Sequence, residues 1–143
     1  MEDKYLFKAK RIDNGEWVCG SYVYTFCEDK NRIAVGIKVE KHWIVEESGN
    51  MVWVDEDTIC QCTGLKDKNG KLIWENDIVG FWDTYSTENG QAEIDCIGKV
   101  VWDDETISFQ VTNRLSAESY EVLDECSVIG NIFDNAELLE SEG

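Results

Sequence analysis

The chain has 143 residues, 43% hydrophobic and 11% aromatic with six Trp. That is too apolar for a disordered chain, and long enough to bury a core without disulfides or a metal. Thirty acidic residues against 13 basic ones leave a formal net charge of -17, which weighs against direct binding of nucleic acid or of an anionic membrane. No apolar run reaches the length of a bilayer span, and Met1 to Arg11 lacks the apolar core of a signal peptide, so a soluble, cytoplasmic protein is expected.

Taken in order, the chain reads as strands. Asn-Gly pairs stand at Asn14-Gly15, Asn69-Gly70 and Asn89-Gly90. This dipeptide tolerates the positive φ angles of type I′ turns, so each pair predicts a hairpin tip. Tyr5, Phe7 and Ala9 alternate with Lys4, Lys8 and Lys10 before the first tip. After it, Trp17 opens a run through Tyr22, Tyr24 and Phe26 that is rich in aromatic and β-branched residues. Ile33, Val35, Ile37 and Val39 take one phase, with Arg32, Lys38 and Glu40 on the other, and Trp43 and Val45 keep that phase with Lys41 as the exception, which places His42 on the solvent side with Lys38 and Glu40. Ser48-Gly49-Asn50 turns the chain into Met51-Val52-Trp53. The first half is therefore expected to be a β-meander.

Beyond a soft boundary at Val54 to Thr58, Leu72-Ile73-Trp74 and Ile78 to Trp82 form short apolar runs, and the polar stretch Asp83 to Gln91 reads as a mobile loop. Lys99 to Trp102 and Thr106 to Val111, joined by Asp103-Asp104-Glu105, read as another hairpin. Asp134 and Glu137 have capping-box spacing ahead of Leu138-Leu139, which predicts a short terminal helix. The fold class expected is mainly β: a meander and SH3-like barrel-type domain with a short C-terminal helix. It is taken as a single domain over 1–143, divisible into a meander lobe (1–56) and an acidic barrel-like lobe (57–143).

Six cysteines, at 19, 27, 60, 62, 96 and 126, include no CxxC pair. They are read as reduced, mostly buried thiols rather than a disulfide framework or a zinc site, because zinc needs four soft ligands at workable spacing. Cys60 and Cys62 would share one face of a strand and are the nearest approach to a metal pair.

Two segments carry a resemblance. Gln61 to Val79, with Cys62-Thr63-Gly64-Leu65-Lys66-Asp67-Lys68-Asn69-Gly70 and Glu75-Asn76-Asp77-Ile78-Val79, is similar to the signature of the YopX family of phage and prophage proteins. Val128-Ile129-Gly130-Asn131-Ile132-Phe133-Asp134 to Glu140 resembles that family's C-terminal segment, and Phe7 to Gly20 its N-terminus more loosely. Asn76 stands where the family commonly has Gly, and Ala136 where it often has Pro. The resemblance implies a small, mainly β protein made in the bacterial cytoplasm from phage or prophage genes, and carries over no activity and no catalytic residues. The family-motif residues Thr63, Gly64, Leu65, Asp67, Asn69, Gly70, Asp77, Gly130 and Asn131 are read as structural. Asp67 would cap the Asn69-Gly70 turn, and Leu65 and Ile73 would enter the core.

Catalysis is not expected. His42 is the lone histidine, no nucleophile motif points to it, and neither a phosphate-binding GxxxxGK[ST] loop nor GxGxxG occurs. No cofactor and no metal are expected. Charge is distributed unevenly: Met1 to Leu72 has 11 basic and 13 acidic residues, whereas Ile73 to Gly143 has 2 basic and 17 acidic. The expected function is that of an accessory protein that binds, self-associating as a homo-oligomer through its aromatic first half. The alternative is an acidic decoy, in which the second half mimics DNA phosphates and occupies a host nucleic-acid-binding protein.

Overall fold

The structure, a computed structural model, describes residues 5–28, 38–113, 119–121 and 126–140. The chain divides into two compact units, 1–61 and 62–143.

In the first unit, strands β1 (Phe7–Lys10), β2 (Trp17–Glu28), β3 (Lys38–Val45) and β4 (Met51–Val54) form an antiparallel meander in the order β4-β3-β2-β1. β5 (Cys60–Lys66) begins here, with Cys60 and Gln61 opposite Lys8 and Phe7. The core is Ala9, Ile44, Val52 and Val54, with Phe7, Val18, Tyr22 and Ile59 packed on it. Between β4 and β5 a 3-10 turn, Glu56–Thr58, is capped by the Asp55 side chain, which accepts from the Asp57 N–H at 3.0 Å. The buried Thr58 hydroxyl accepts from the Lys10 N–H at 2.8 Å and donates to the Asp55 carbonyl at 2.7 Å, tying that turn to β1.

In the second unit the remainder of β5 pairs with β6 (Leu72–Trp74). β7 (Asp77–Thr87), β8 (Gly90–Asp103), β9 (Ser108–Asn113), β10 (Ser119–Glu121) and β11 (Ser127–Asn131) make a five-stranded antiparallel sheet ordered β10-β9-β8-β7-β11. A single turn of helix, α1 (Glu137–Glu140), follows. Ile73, Val79, Val100, Val111 and Cys126 form this unit's core, with Phe81, Phe109 and Val128 against it. The fold is mainly β. Among the described residues no helix is long and apolar enough to cross a membrane.

Several local expectations change. All three Asn-Gly pairs lie at hairpin connections, but only Gly15, Gly70 and Gly90 take positive φ, so none of the turns is type I′. At the second pair the Gly70 N–H donates to the Asp67 carbonyl and the Asp67 N–H to the Lys71 carbonyl, a three-residue connection with glycine in the left-handed position. Asp83 to Gln91 is not a loop. It is the distal arm of the long β7–β8 hairpin, whose pairing runs to Thr87 opposite Gly90; cross-strand hydrogen bonds hold polar residues in strand as well as apolar ones.

Ile33 to Ile37 lies outside the described residues. In β3 the alternation runs opposite to expectation: Ile44 is fully buried, and Trp43 faces the other way. Leu65 does not enter the core but stands 46% exposed, because Gly64 (φ 80) sits in a register irregularity of β5 that turns the next side chain outward. Helix α1 begins at Glu137 itself, so Asp134 is not its cap; Asp134 belongs instead to a turn closed by Asn131.

Candidate functional site

Register assigns the outer face of the first sheet. Lys10 lies opposite Trp17, Lys8 opposite Cys19, Val23 opposite Trp43, Thr25 opposite Lys41, Trp43 opposite Trp53 and Val45 opposite Met51. Directly opposed residues share a face, and so do residues two apart along a strand. One surface therefore carries Lys8, Lys10, Lys41, Trp17, Trp43, Trp53 and Met51, while Ala9, Ile44, Val52 and Val54 fill the other. Although the chain has 30 acids, no strand carboxylate among the described residues of β1–β4 shares this outer face.

The aromatic rings are held in place. The Lys8 ammonium lies 4.7 Å from the centre of the Trp17 ring and that of Lys10 5.4 Å from it. Lys41 lies 4.9 Å from Trp53 and 5.7 Å from Trp43. The Trp43 indole N–H donates to the Thr25 hydroxyl at 2.8 Å, which lays that ring along the sheet. Met51 and Trp53 are exposed. The result is two lysine–tryptophan clusters on the outer face of this sheet, suited to a partner that offers apolar contact together with negative charge. Gly20 lets the sheet close, since a Cβ there would strike the Val45 carbonyl oxygen. Alternation alone shows Lys8 and Lys10 as the polar side of β1; their convergence on Trp17 depends on pairing between strands, which single segments do not reveal.

His42 is not the solvent-side histidine that the alternation predicts. It is part-buried on the core side of the sheet. Its Nδ1 is hydrogen-bonded to the Tyr22 hydroxyl, its ring stacks on Tyr22 at 3° between planes, and its Nε2 lies 2.9 Å from the Glu56 carboxylate. The neutral tautomer that fits both partners donates from Nε2 to Glu56 and accepts at Nδ1 from the phenol. Burial pushes the Tyr22 phenol above its ordinary range, and the Glu56 charge adds to that.

The family-motif residues lie in the second unit at two places: Asn69 and Gly70 in the turn held by Asp67, and Asp77 opposite Asn131 where β7 pairs with β11. The Asp67 carboxylate is buried, and accepts from the Asn69 and Lys71 N–H groups through Oδ1 and from the Val128 N–H through Oδ2, all at 2.9 Å. Burial pushes its pKa up, but the Val128, Lys71 and Asn69 backbone donors and the Lys71 charge outweigh burial and hold it below the ordinary carboxylate value. Asn69 Nδ2 reaches the Ser127 hydroxyl at 3.2 Å, and the Lys68 N–H donates to the Cys126 carbonyl at 3.0 Å, so with the Val128 bond the β5–β6 turn is fastened to β11 and the residue before it at three points. The Thr63 hydroxyl donates to the Ile73 carbonyl at 2.7 Å, and Gly70 holds the turn at φ 81.

Asp77 is buried and accepts from the Trp74 N–H at 2.8 Å. Asn76 has φ 70; it donates to the Val100 carbonyl and accepts from the Ile132 N–H. Asn131 Oδ1 accepts from the Phe133 and Asp134 N–H groups at 2.9 Å, and the side chain of Asn135 fills the space a Cβ on Gly130 would need.

Two open clefts lie in this unit, of about 360 Å³ and about 350 Å³. The first is bordered by Leu65, Trp102, Ile107, Phe109 and Gln110. The second is bordered by Gly80, Trp82, Asp95 and Ile97. Cys60, Cys62, Cys96 and Cys126 are buried and Cys19 is exposed. Among the described residues no group of three or more His, Cys, Asp or Glu is placed to hold a metal ion.

No curated protein matches the chain. The family model described as YopX protein matches residues 6–140, a span that includes the Asp67 turn, its anchor on β11 and both sheets. The chain belongs to the YopX family.

Proposed function

We propose that this protein acts by binding rather than by catalysis, as an accessory protein of phage or prophage origin in the bacterial cytoplasm, and that it associates with itself. The carrying observation is the outer face of the first sheet, where three tryptophans and three lysines form two clusters with no strand carboxylate on that face among the described residues. Tryptophan is enriched at the energetic centres of interfaces, and a lysine over an indole adds charge without losing apolar contact. The side chains of Thr63, Asp67 and Asp77 bond backbone groups, and those of Asn69 and Asn131 also bond Ser127 and Asp134, as scaffold residues do. An SH3-like barrel type for the second unit is part of this reading, supported by its antiparallel pairing and the irregularities in β5 and β11 that bend those strands.

Static light scattering at micromolar concentration tests self-association. An oligomer is expected, and a monomer would overturn it. A second reading rests on β8, where Glu93, Asp95 and Asp103 fall on one face two or more residues apart: an acidic decoy that occupies a host nucleic-acid-binding protein. Affinity capture from host lysate at low and moderate salt separates the two. One nucleic-acid-binding protein, released as salt rises, would favour the decoy.

A further inference from the structure

The lysine–tryptophan face has a counterpart in the second unit with the opposite charge and the same layout. Lys8 and Lys10 are two residues apart on one face of β1, and Trp17 stands directly across from Lys10 on β2. Glu93 and Asp95 are two residues apart on one face of β8, and Trp82 stands directly across from Asp95 on β7. Both charge pairs therefore have the strand repeat of about 6.7 Å, with one indole beside one member. Glu93 and Asp95 are exposed, and Trp82 is 61% exposed. Beside them Gly80 has no side chain, and the cleft of about 350 Å³ there is bordered by Trp82, Asp95 and Ile97, with Lys68 also on its lining. That is room for an indole ring set against an aromatic neighbour. The charge balance has the same sense: residues 1–61 include 8 basic and 12 acidic groups, and residues 62–143 include 5 basic and 18 acidic.

We infer that the Lys8–Lys10–Trp17 cluster of one copy docks on the Glu93–Asp95–Trp82 cluster of a second copy, so that the chain assembles head to tail. The inference rests on the self-association proposed above and names its surfaces. Each lysine meets a carboxylate in strand register, and the Trp17 ring enters the cleft beside Trp82. Because the two surfaces differ, the contact is heterologous. Every copy retains one unused surface of each kind until the assembly closes into a ring or extends.

The test is a pair of charge reversals and their mixture, followed by sedimentation velocity with far-UV circular dichroism on each protein. K8E/K10E alone and E93K/D95K alone should each weaken association at least about tenfold, as loss of close charge pairs at an interface does. Mixing the two should restore it, because the first variant retains an intact acidic cluster and the second an intact lysine cluster. Mixing decides the matter where salt would not, since salt screens the net repulsion of a -17 chain as well as the attraction.

A wild-type monomer would overturn the self-association reading itself. A wild-type oligomer that both reversals leave unchanged, or that mixing fails to restore, would overturn the inference and leave that reading standing. Should a reversal unfold the chain, Lys10→Gln and Asp95→Asn replace it, and equal association to wild type in both would likewise overturn the inference.

Discussion

At the scale of single residues, the most consequential side chain is Asp67. One carboxylate satisfies three backbone N–H groups, two in its own turn and one 61 residues away at Val128. Replacing it with Ala leaves three donors without their charged acceptor and should cost about 3 kcal/mol; urea unfolding measures this, and a loss below about 0.5 kcal/mol would contradict the role. The pH dependence has a definite sign. The folded carboxyl is held below its ordinary value, so its contribution is complete above the unfolded carboxylate range and is lost as pH falls through the folded pKa. Wild-type stability should therefore fall on acidification more steeply than that of Asp67→Asn.

Asn76 is a second such residue. Its φ of 70 lies in the left-handed region, which explains why the family commonly has Gly there and why Asn, the best tolerated alternative, replaces it. Asn76→Gly should leave the urea midpoint near wild type, and Asn76→Ala should cost about 1 kcal/mol.

At the scale of elements, the β8–β9 hairpin has a strained tip. Ile107, a β-branched residue, adopts φ 52 and is 74% exposed, so it bears backbone strain with little burial in return. Ile107→Gly should raise the melting temperature, by about 1 kcal/mol of stability. A drop would mean that the exposed side chain contributes to folding in some other way. This tip was legible in part: Asp103-Asp104-Glu105 marks the turn, and the alternation of Phe109 and Val111 marks the strand, but strict alternation from Thr106 hides the backbone angle at Ile107. Similarly, the polar composition of Asp83 to Gln91 suggested a loop because composition reports burial. Whether a polar stretch pairs depends on the strand beside it, and here each arm of the β7–β8 hairpin supplies the other's hydrogen bonds.

At the scale of the whole molecule, the net charge of -17 sets long-range behaviour, and the lysine–tryptophan face is a local exception to it. Three tryptophans and three lysines on a sheet have the parts of a base-stacking platform. Six to ten phosphate contacts are typical of nucleic-acid binders, and the global field repels a polyanion before these three lysines could act. Fluorescence anisotropy with a labelled single-stranded oligonucleotide at about 0.1 M salt should show no binding up to about 50 μM protein; saturable binding would reassign the face.

The sequence by itself determined the β class, the three hairpin connections at Asn-Gly, the turn around Asp67 and the uneven spread of charge, because alternation, turn chemistry and composition are local properties of the chain. The tertiary structure decided the rest. It settled that β3 buries Ile44 and turns Trp43 outward, that His42 lies between Tyr22 and Glu56, and that the Asp67 turn is anchored at Val128. It also brought Lys8, Lys10 and Lys41 onto one face with Trp17, Trp43 and Trp53. Each of these depends on register between strands distant in sequence, and a shift of one residue would send every side chain to the opposite face.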